Sequence, residues 1–409
     1  MNHQSAQEQE FLLAQLEALA KDRVPPAQLA DFRSFLRHYY EMAALDALTQ
    51  RSPAELADIA AEHWRFIARR KPGEVLARVV PPADPGQPGA SALASIDTAL
   101  DDMSFIVDSV SMAIRDAGST IDWAVHPVLR LRRGADGALL GVDAGPGGSA
   151  QPESLMHVQF EPLAGSEAYV QLAGTLQRVL ADLDVVVAGF GPMRDKCNEI
   201  AESMQAVPKG GDKDEFSEAR EFLLWLQDEH FTFLGYSETQ AQSTDGKVRF
   251  VNKPDAALGL SRKGGRFADP DQLLAPRAEL DKYAESSRLV VITKANHKSP
   301  VRHPEFMDVI SVKRFEPDGT IAGTARFLGL FSAEAYIERP KNIPLIRRKA
   351  EYVMRRSRLP ENSHSGKNLK LILHTLPRDE LFQSSEEELF ETCTGIRALR
   401  DRHTLKLFM

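Results

Sequence analysis

The chain has 409 residues, of which 43% are hydrophobic and 26% charged, with a formal net charge of -8. That apolar content can bury several cores, and at roughly 100–200 residues per domain the length suggests two to four domains. The acidic balance speaks against nucleic acid as a partner, and Cys197 and Cys393, with no Cys or His at ligand spacing, indicate neither a disulfide framework nor a zinc site.

Residues 1–80 read as a helical cap or docking module. Leu12, Leu16 and Leu19, then Leu29, Phe32, Phe35, Leu36, Tyr39 and Tyr40, then Leu56, Ile59, Ala60, His63 and Ile67 recur at helical spacing, and Val24-Pro-Pro26 and Arg51-Ser-Pro53 separate them. Ser52, Pro53 and Glu55 form a helix start: a capping hydroxyl, a proline at the first position and a carboxylate near the dipole. The first of these helices lacks the basic, apolar and small-residue layout of a signal peptide. No run approaches the roughly 20 apolar residues that span a bilayer, so a reducing, cytoplasmic setting without a membrane is expected.

Val80-Pro-Pro-Ala-Asp-Pro-Gly-Gln-Pro-Gly89 is too rich in proline and glycine for regular structure and reads as a linker. Residues 90–205 then give strand, helix, strand, strand, helix. Leu93–Ala99 is the first strand, and Phe105, Val107, Val110 and Ile114 mark a helix ending at Gly118. Ile121, Trp123, Val125, Leu129 and Leu131 share one face of a single strand, Gly134–Pro152 is a long glycine-rich loop, and Met156, Val158 and Phe160 alternate in the next strand. Tyr169, Leu172, Leu176, Val179, Leu180 and Leu183 spell the second helix. The succession suits a ferredoxin-like split βαβ sheet and resembles the ACT family of amino-acid-sensing domains.

Residues 214–335 change the order to a helix, two strands, an irregular segment with a short helix, and three strands. The strands are Phe231–Tyr236, Val248–Val251, Leu289–Thr293, Met307–Phe315 and Ile321–Phe331, the last two joined by the turn Pro317-Asp-Gly319. This is the layout of a PAS-like or GAF-like module, with a second, elaborated ACT-like domain as the alternative. Residues 338–403 read as a helical connector of three short helices. Its third helix has Glu386, Glu387 and Glu388 in the first turn and Arg397 and Arg400 at the end, as a helix dipole favours. Residues 404–409 alternate like a strand and are expected to open a further, truncated domain. The fold class is therefore α+β and multidomain.

Pro377-Arg-Asp-Glu-Leu-Phe-Gln383, with His63-Trp64, Lys71-Pro-Gly-Glu74, Asp108-Ser-Val110, His126-Pro127 and His230-Phe-Thr-Phe-Leu-Gly-Tyr236 in order before it, resembles the N-terminal part of the large-type bacterial NAD-dependent glutamate dehydrogenases. The resemblance covers nearly the whole chain. It implies a non-catalytic regulatory or oligomerisation segment, whose partners are the downstream catalytic domain, other subunits and an amino-acid effector. It also implies that NAD belongs to the parent enzyme and that this segment holds no cofactor. The parent would convert L-glutamate to 2-oxoglutarate and ammonia, a lysine-activated water attacking the iminium left by hydride transfer. No catalytic or metal-binding residue is assigned here. A freestanding small-molecule sensor and a purely structural scaffold are the rival readings.

By the ACT resemblance, an amino-acid ligand would sit at the turn between first strand and first helix, where helix N-terminal amides meet a carboxylate. That turn is Leu100-Asp-Asp-Met-Ser-Phe105, so Asp101, Asp102, Ser104 and Phe105 are the candidate effector residues. Ser104 and Phe105 stand where ligand-binding members carry proline and glycine. The absent glycine hinders backbone approach, the two aspartates repel an anion, and capping by Asp102 or Ser104 is the competing role.

Other constellations have plainer explanations. Leu183-Asp-Val-Val-Val-Ala-Gly-Phe-Gly-Pro-Met-Arg194 offers Gly-x-Gly after an apolar run, but Arg194 replaces the third glycine of a dinucleotide fingerprint and Lys209-Gly-Gly-Asp-Lys-Asp is no ribose-binding strand end. A bend or break in a long helix, or a short strand closing the ACT-like sheet, is expected instead. Ser365-Gly-Lys-Asn368 lacks the leading glycine of a phosphate loop and reads as a helix start capped by Ser363 or Ser365. Arg347, Arg348, Lys349, Arg355, Arg356 and Arg358 are basic, but with no interleaved aromatic beyond Tyr352, and with the acidic third helix nearby as a partner, they suit a solvated or intersubunit salt-bridged face. His297, His303 and Asp308 lie around a loop containing Lys298 and Arg302, which disfavours a metal.

Overall fold

A computed structural model describes residues 3–83, 91–143, 150–244, 247–269, 283 and 288–399. The segment 404–409 and the short helix expected before Leu289 therefore lie outside the described residues, apart from Tyr283. The chain forms two compact units, Met1–Asp184 with Pro300–His303, and Val185–Ser299 with Pro304–Met409.

The first unit opens with helices α1 (His3–Leu19), α2 (Leu29–Tyr40), α3 (Leu45–Leu48) and α4 (Pro53–Phe66). The α4 start follows from its sequence: the Ser52 hydroxyl accepts from the Glu55 amide at 3.2 Å, with Pro53 in the first turn. Residues 76–80, expected to continue the helical module, instead form strand β1 (Leu76–Val80). The sheet continues with β2 (Ala94–Asp101), β3 (Ile121–Val125), β4 (Val128–Arg133), β5 (Leu139–Val142) and β6 (Pro152–Phe160), with α5 (Ile106–Asp116) between β2 and β3.

Two further expectations change. The single strand 121–131 is two, because Pro127 has no amide to donate to a ladder, and the loop after Gly134 contains β5. The order is β1-β2-β6-β4-β5, with β3 also on β6 and every pairing antiparallel. Thus β2 and β3 run parallel with β6 between them. Phe35, Leu36, Tyr39 and Trp64 share one core with Ala99, Trp123, Val125, Leu129 and Leu155, so helices α1–α4 and the sheet bury one another.

Helix α6 (Ser166–Ser203) was expected to bend or break, or to give way to a short strand, within Leu183–Arg194. It runs on through Gly189, Gly191 and Pro192, and the division between units falls within it. In the second unit follow α7 (Lys213–Trp225), β7 (Phe231–Thr244), β8 (Lys247–Gly259), β9 (Val290–Lys298), β10 (Phe306–Phe315) and β11 (Ile321–Phe331). These strands form one antiparallel sheet, ordered β8-β7-β11-β10-β9. Met193, Cys197, Ile200, Phe222 and Leu223 from the helices meet Phe233, Tyr236, Ile310 and Phe327 from the sheet in its core.

Helices α8 (Ala333–Ile337), α9 (Ile346–Ser357), α10 (His364–Thr375), α11 (Arg378–Gln383) and α12 (Glu386–Arg397) follow, α8 and α11 being additional to the three expected. Ser363 caps α10 through the Gly366 amide at 3.0 Å. Ser385 and Glu388 form a capping box at α12.

Candidate functional site

The turn leaving β2 is held from below by a buried arginine. Arg70, 1% exposed, donates to Asp101 at 2.6 Å and to the Glu74 carbonyl at 2.7 Å, and lies 3.2 Å from Glu153. Glu153 is also gripped by Arg133 at 2.6 and 2.9 Å. The Gly73 amide donates to the other Asp101 oxygen at 3.0 Å. The Asp101 charge is therefore neutralised, and the repulsion of an anion expected from this residue is removed.

Capping is not what Asp102 and Ser104 do. The α5 N-cap is Phe105, without any side-chain cap bond, and both Asp102 and Ser104 are exposed. Phe105 has φ 70° and ψ 10°, the left-handed conformation that a glycine adopts freely and a Cβ penalises. The absent glycine was expected to hinder backbone approach, and Phe105 nonetheless takes the backbone conformation typical of glycine. The Arg302 guanidinium lies 5.0 Å from the Phe105 ring, and the Arg302 amide donates to Ser109 Oγ at 3.1 Å. Arg302 is itself left-handed, at φ 68°.

Sequence reasoning missed a second polar cluster in this unit. His63, fully buried, is hydrogen-bonded to the Tyr39 hydroxyl at 2.7 Å and to the Thr98 carbonyl at 3.2 Å. Burial pushes its imidazole down to about 4. Asp97 sits 4.0 Å away and binds His157 Nδ1 at 2.6 Å and Arg78 at 2.7 Å. Burial would raise the Asp97 carboxyl, but the His157 hydrogen bond and neighbouring positive charges hold it well below the usual range. The signal was available only as a histidine on an otherwise apolar helix face.

In the second unit, the heptad Pro377–Gln383 fastens α11. Arg378 is 3% exposed and donates to the carbonyls of Ala335, at 3.2 Å, and Glu338. Asp379 pairs with Lys294 at 3.1 Å, and Lys294 pairs in turn with buried Asp308 at 2.8 Å. Burial pushes the Asp308 carboxyl up to about 6, with Lys294 offsetting part of that effect. Lys349 donates to the Leu381, Phe382 and Ser384 carbonyls at 2.9, 2.7 and 2.7 Å, closing the C-terminal end of α11.

The other quoted tokens have the same character: Glu74 accepts from the Lys71 amide at 2.8 Å, His126 meets Ser154 at 2.6 Å, and His230 stacks on Trp225 with centroids 4.3 Å apart. These are anchors of the fold.

The basic run divides. Arg347 pairs with Glu218 and Glu221, both at 2.6 Å, and Arg356 with Glu387 at 2.7 Å, all within the chain rather than between subunits. Arg355 and Arg358 line a cavity of about 930 Å³ beside α9 and α10.

Gly189 lies within α6, where an added Cβ would come 3.3 Å from the Gly259 amide nitrogen, so its smallness serves packing. The short strand weighed for this stretch is absent among the described residues, helix taking its place. Asp308 is engaged with Lys294, and His297 packs against Phe267 with centroids 5.5 Å apart. Among the described residues no group of three or more His, Cys, Asp or Glu side chains is placed to hold a metal ion. Burial raises the thiols of Cys197 to about 12 and Cys393 to about 11, which makes both poor nucleophiles. No helix among the described residues is long and apolar enough to cross a membrane.

Comparison with known families matches residues 35–176 to the glutamate dehydrogenase ACT1 domain and residues 343–402 to glutamate dehydrogenase helical motif 1. The class is thereby defined: an α+β chain carrying an ACT-type domain and a helical motif of glutamate dehydrogenases. The chain corresponds to an N-terminal segment of the large NAD-specific glutamate dehydrogenases.

It is 31% identical to the NAD-specific glutamate dehydrogenase of Halomonas elongata over 97% of its own length and 25% of that relative. For the Pseudomonas aeruginosa protein of the same name the figures are 31%, 97% and 24%. For that of Mycobacterium tuberculosis they are 25%, 85% and 20%. The chain spans about a quarter of the length of the first two relatives.

Proposed function

We propose that this chain is the regulatory and assembly segment of an NAD-dependent glutamate dehydrogenase, with catalysis in a part of the enzyme beyond it. The observation that carries this reading is the match of 97% of the chain to about a quarter of its relatives, together with an ACT1 domain over residues 35–176. The parent enzyme oxidatively deaminates L-glutamate to 2-oxoglutarate and ammonia and reduces NAD, and the segment's partners are the catalytic domain and other subunits. In the first unit, the split βαβ arrangement of β2, α5 and β3 around β6 supports an ACT-like, ferredoxin-like domain. In the second, two strands, a long connection and three strands in one antiparallel sheet support a PAS-like or GAF-like module.

The effector is an amino acid, received at the turn Asp101–Phe105. Three features favour this place: the α5 N-terminus has no side-chain cap, Asp101 is neutralised by Arg70, and Phe105 holds the turn in glycine-like geometry. The decisive experiment is thermal unfolding of the 409-residue chain with a panel of amino acids, beside an assay for glutamate-dependent NADH formation. A ligand at a hundredfold excess over its Kd adds about 2.7 kcal/mol of stability. An amino acid that raises the midpoint with no NADH formed supports the regulatory reading. NADH formation by this chain overturns it, and self-association with no shift favours a scaffold.

A further inference from the structure

The cavity beside α9 and α10 carries a charge that the rest of the chain does not prepare for. The protein has 58 acidic and 50 basic residues, yet seven Lys or Arg side chains and only Glu351 and Glu361 among acids line this space. Two of the seven are already matched: Arg347 by Glu218 and Glu221, and Lys370 by Glu361 at 2.6 Å. Arg339, Lys341, Arg355, Arg358 and Lys367 have no side-chain ion pair among the described residues. One acid, Glu351, remains against these five.

Such a concentration of like charge is costly to assemble and is relieved by a counter-anion. A concave wall also focuses the potential on whatever enters. One carboxylate would meet one or two of these groups, so five call for a ligand with several negative charges.

The remaining wall is apolar. Met354, Leu359 and Leu371 contribute, and Leu371 is 60% exposed. The volume of about 930 Å³ lies within the range of roughly 300–1,000 Å³ typical of small-molecule sites. It exceeds the needs of inorganic phosphate and leaves room for an organic body on the apolar side. Arginine and lysine supply complementary contacts to such a ligand: guanidinium forks pair with phosphate oxygens in a bidentate way, and ammonium groups act as point charges.

We infer that the cavity between α9 and α10 is a binding site for a small organic polyphosphate of the nucleoside triphosphate class. The phosphates lie against Arg355, Arg358 and Lys367, and the organic body rests on Met354, Leu359 and Leu371. The site is separate from the turn at Asp101–Phe105 and independent of the amino-acid reading.

The test is calorimetric titration of the 409-residue chain with ATP, inorganic tripolyphosphate and adenosine, at two salt concentrations. ATP should bind more tightly than tripolyphosphate, both should weaken as salt rises, and adenosine should not bind measurably. The double variant Arg355→Glu with Lys367→Glu should lose at least tenfold in affinity, whereas Lys21→Glu with Arg115→Glu, exposed and in the other unit, should lose none. Should charge reversal disturb folding, Arg355→Gln with Lys367→Gln keeps the comparison open and should also weaken binding. Three results overturn the inference: no binding of either polyphosphate, equal loss in both double variants, or binding of an acidic peptide such as deca-glutamate without binding of ATP.

Discussion

Phe105 occupies a backbone conformation that penalises any side chain by about 1 kcal/mol, and its ring packs beneath Arg302. Two truncations separate these effects. Phe105→Ala and Phe105→Gly both remove the ring contact, but only glycine removes the penalty. The glycine variant should therefore be the more stable by about 1 kcal/mol in denaturant titration, reversing the usual order of Ala and Gly near a helix. Lys349 gives a second measurement at this scale. Burial pushes its ammonium down to about 8, so it is still charged at neutral pH when it binds the three carbonyls at the end of α11. Lys349→Met should cost about 2 kcal/mol, the range for hydrogen bonds to a charged group, and an unchanged midpoint would deny it that role.

Elements were legible in the sequence where one face is buried and the other wet. β3, β4 and the β10–β11 hairpin follow the alternation read from Trp123, Val125, Leu129 and Leu131 and from the turn Pro317-Asp-Gly319. The helix cap at Ser52 was equally plain, and of Ser363 and Ser365, both weighed as caps, the structure uses Ser363. Edge strands were harder. β8 is exposed along most of its length and contains Pro254, as edges tolerate, so its apolar signal was confined to Val248–Val251. β1 was hidden for a related reason: a half-exposed five-residue edge carries little periodicity of its own. A break or a short strand was expected within α6 because Gly189, Gly191 and Pro192 ordinarily punctuate helices. Its continuation is secured by Met193, Cys197 and Ile200 in the core, which outweighs the local signal. The Arg70 and His63 networks depend on partners far away in sequence, and no spacing rule reports them. Gly259 tests the packing that ends β8. At φ 59°, an added Cβ would meet the Leu234 carbonyl at under 3 Å, so Gly259→Ala should lose about 2 kcal/mol or more by thermal melting.

Across the whole molecule, the two units should answer acid with opposite signs. In the first, His63 has a folded value of about 4 against an ordinary 6.5. Its neutral form is the one the core accepts, so this stability is present above 6.5 and is lost as pH falls through 4. In the second, Asp308 has a folded value of about 6 against 3.8. Its charge is the burden, so that stability is present below 3.8 and is lost as pH rises through 6. Each contributes on the order of 2–3 kcal/mol at most. Acidification from 7 to 4 should thus weaken the unit holding Trp64 and Trp123 and strengthen the one holding Trp225 through these two groups. Tryptophan fluorescence of the parent, of His63→Gln and of Asp308→Asn resolves them: each variant should flatten the response of its own unit and leave the other unchanged.

The heptad Pro377–Gln383 turns its most distinctive side chains inward, with Arg378, Leu381 and Phe382 buried and Pro377, Glu380 and Gln383 outside. Its visible surface is therefore unlike its sequence. An antibody raised against the linear peptide would find half of its epitope missing on the native chain and would bind when α11 detaches, making the family's most recognisable words an immunological reporter of local opening.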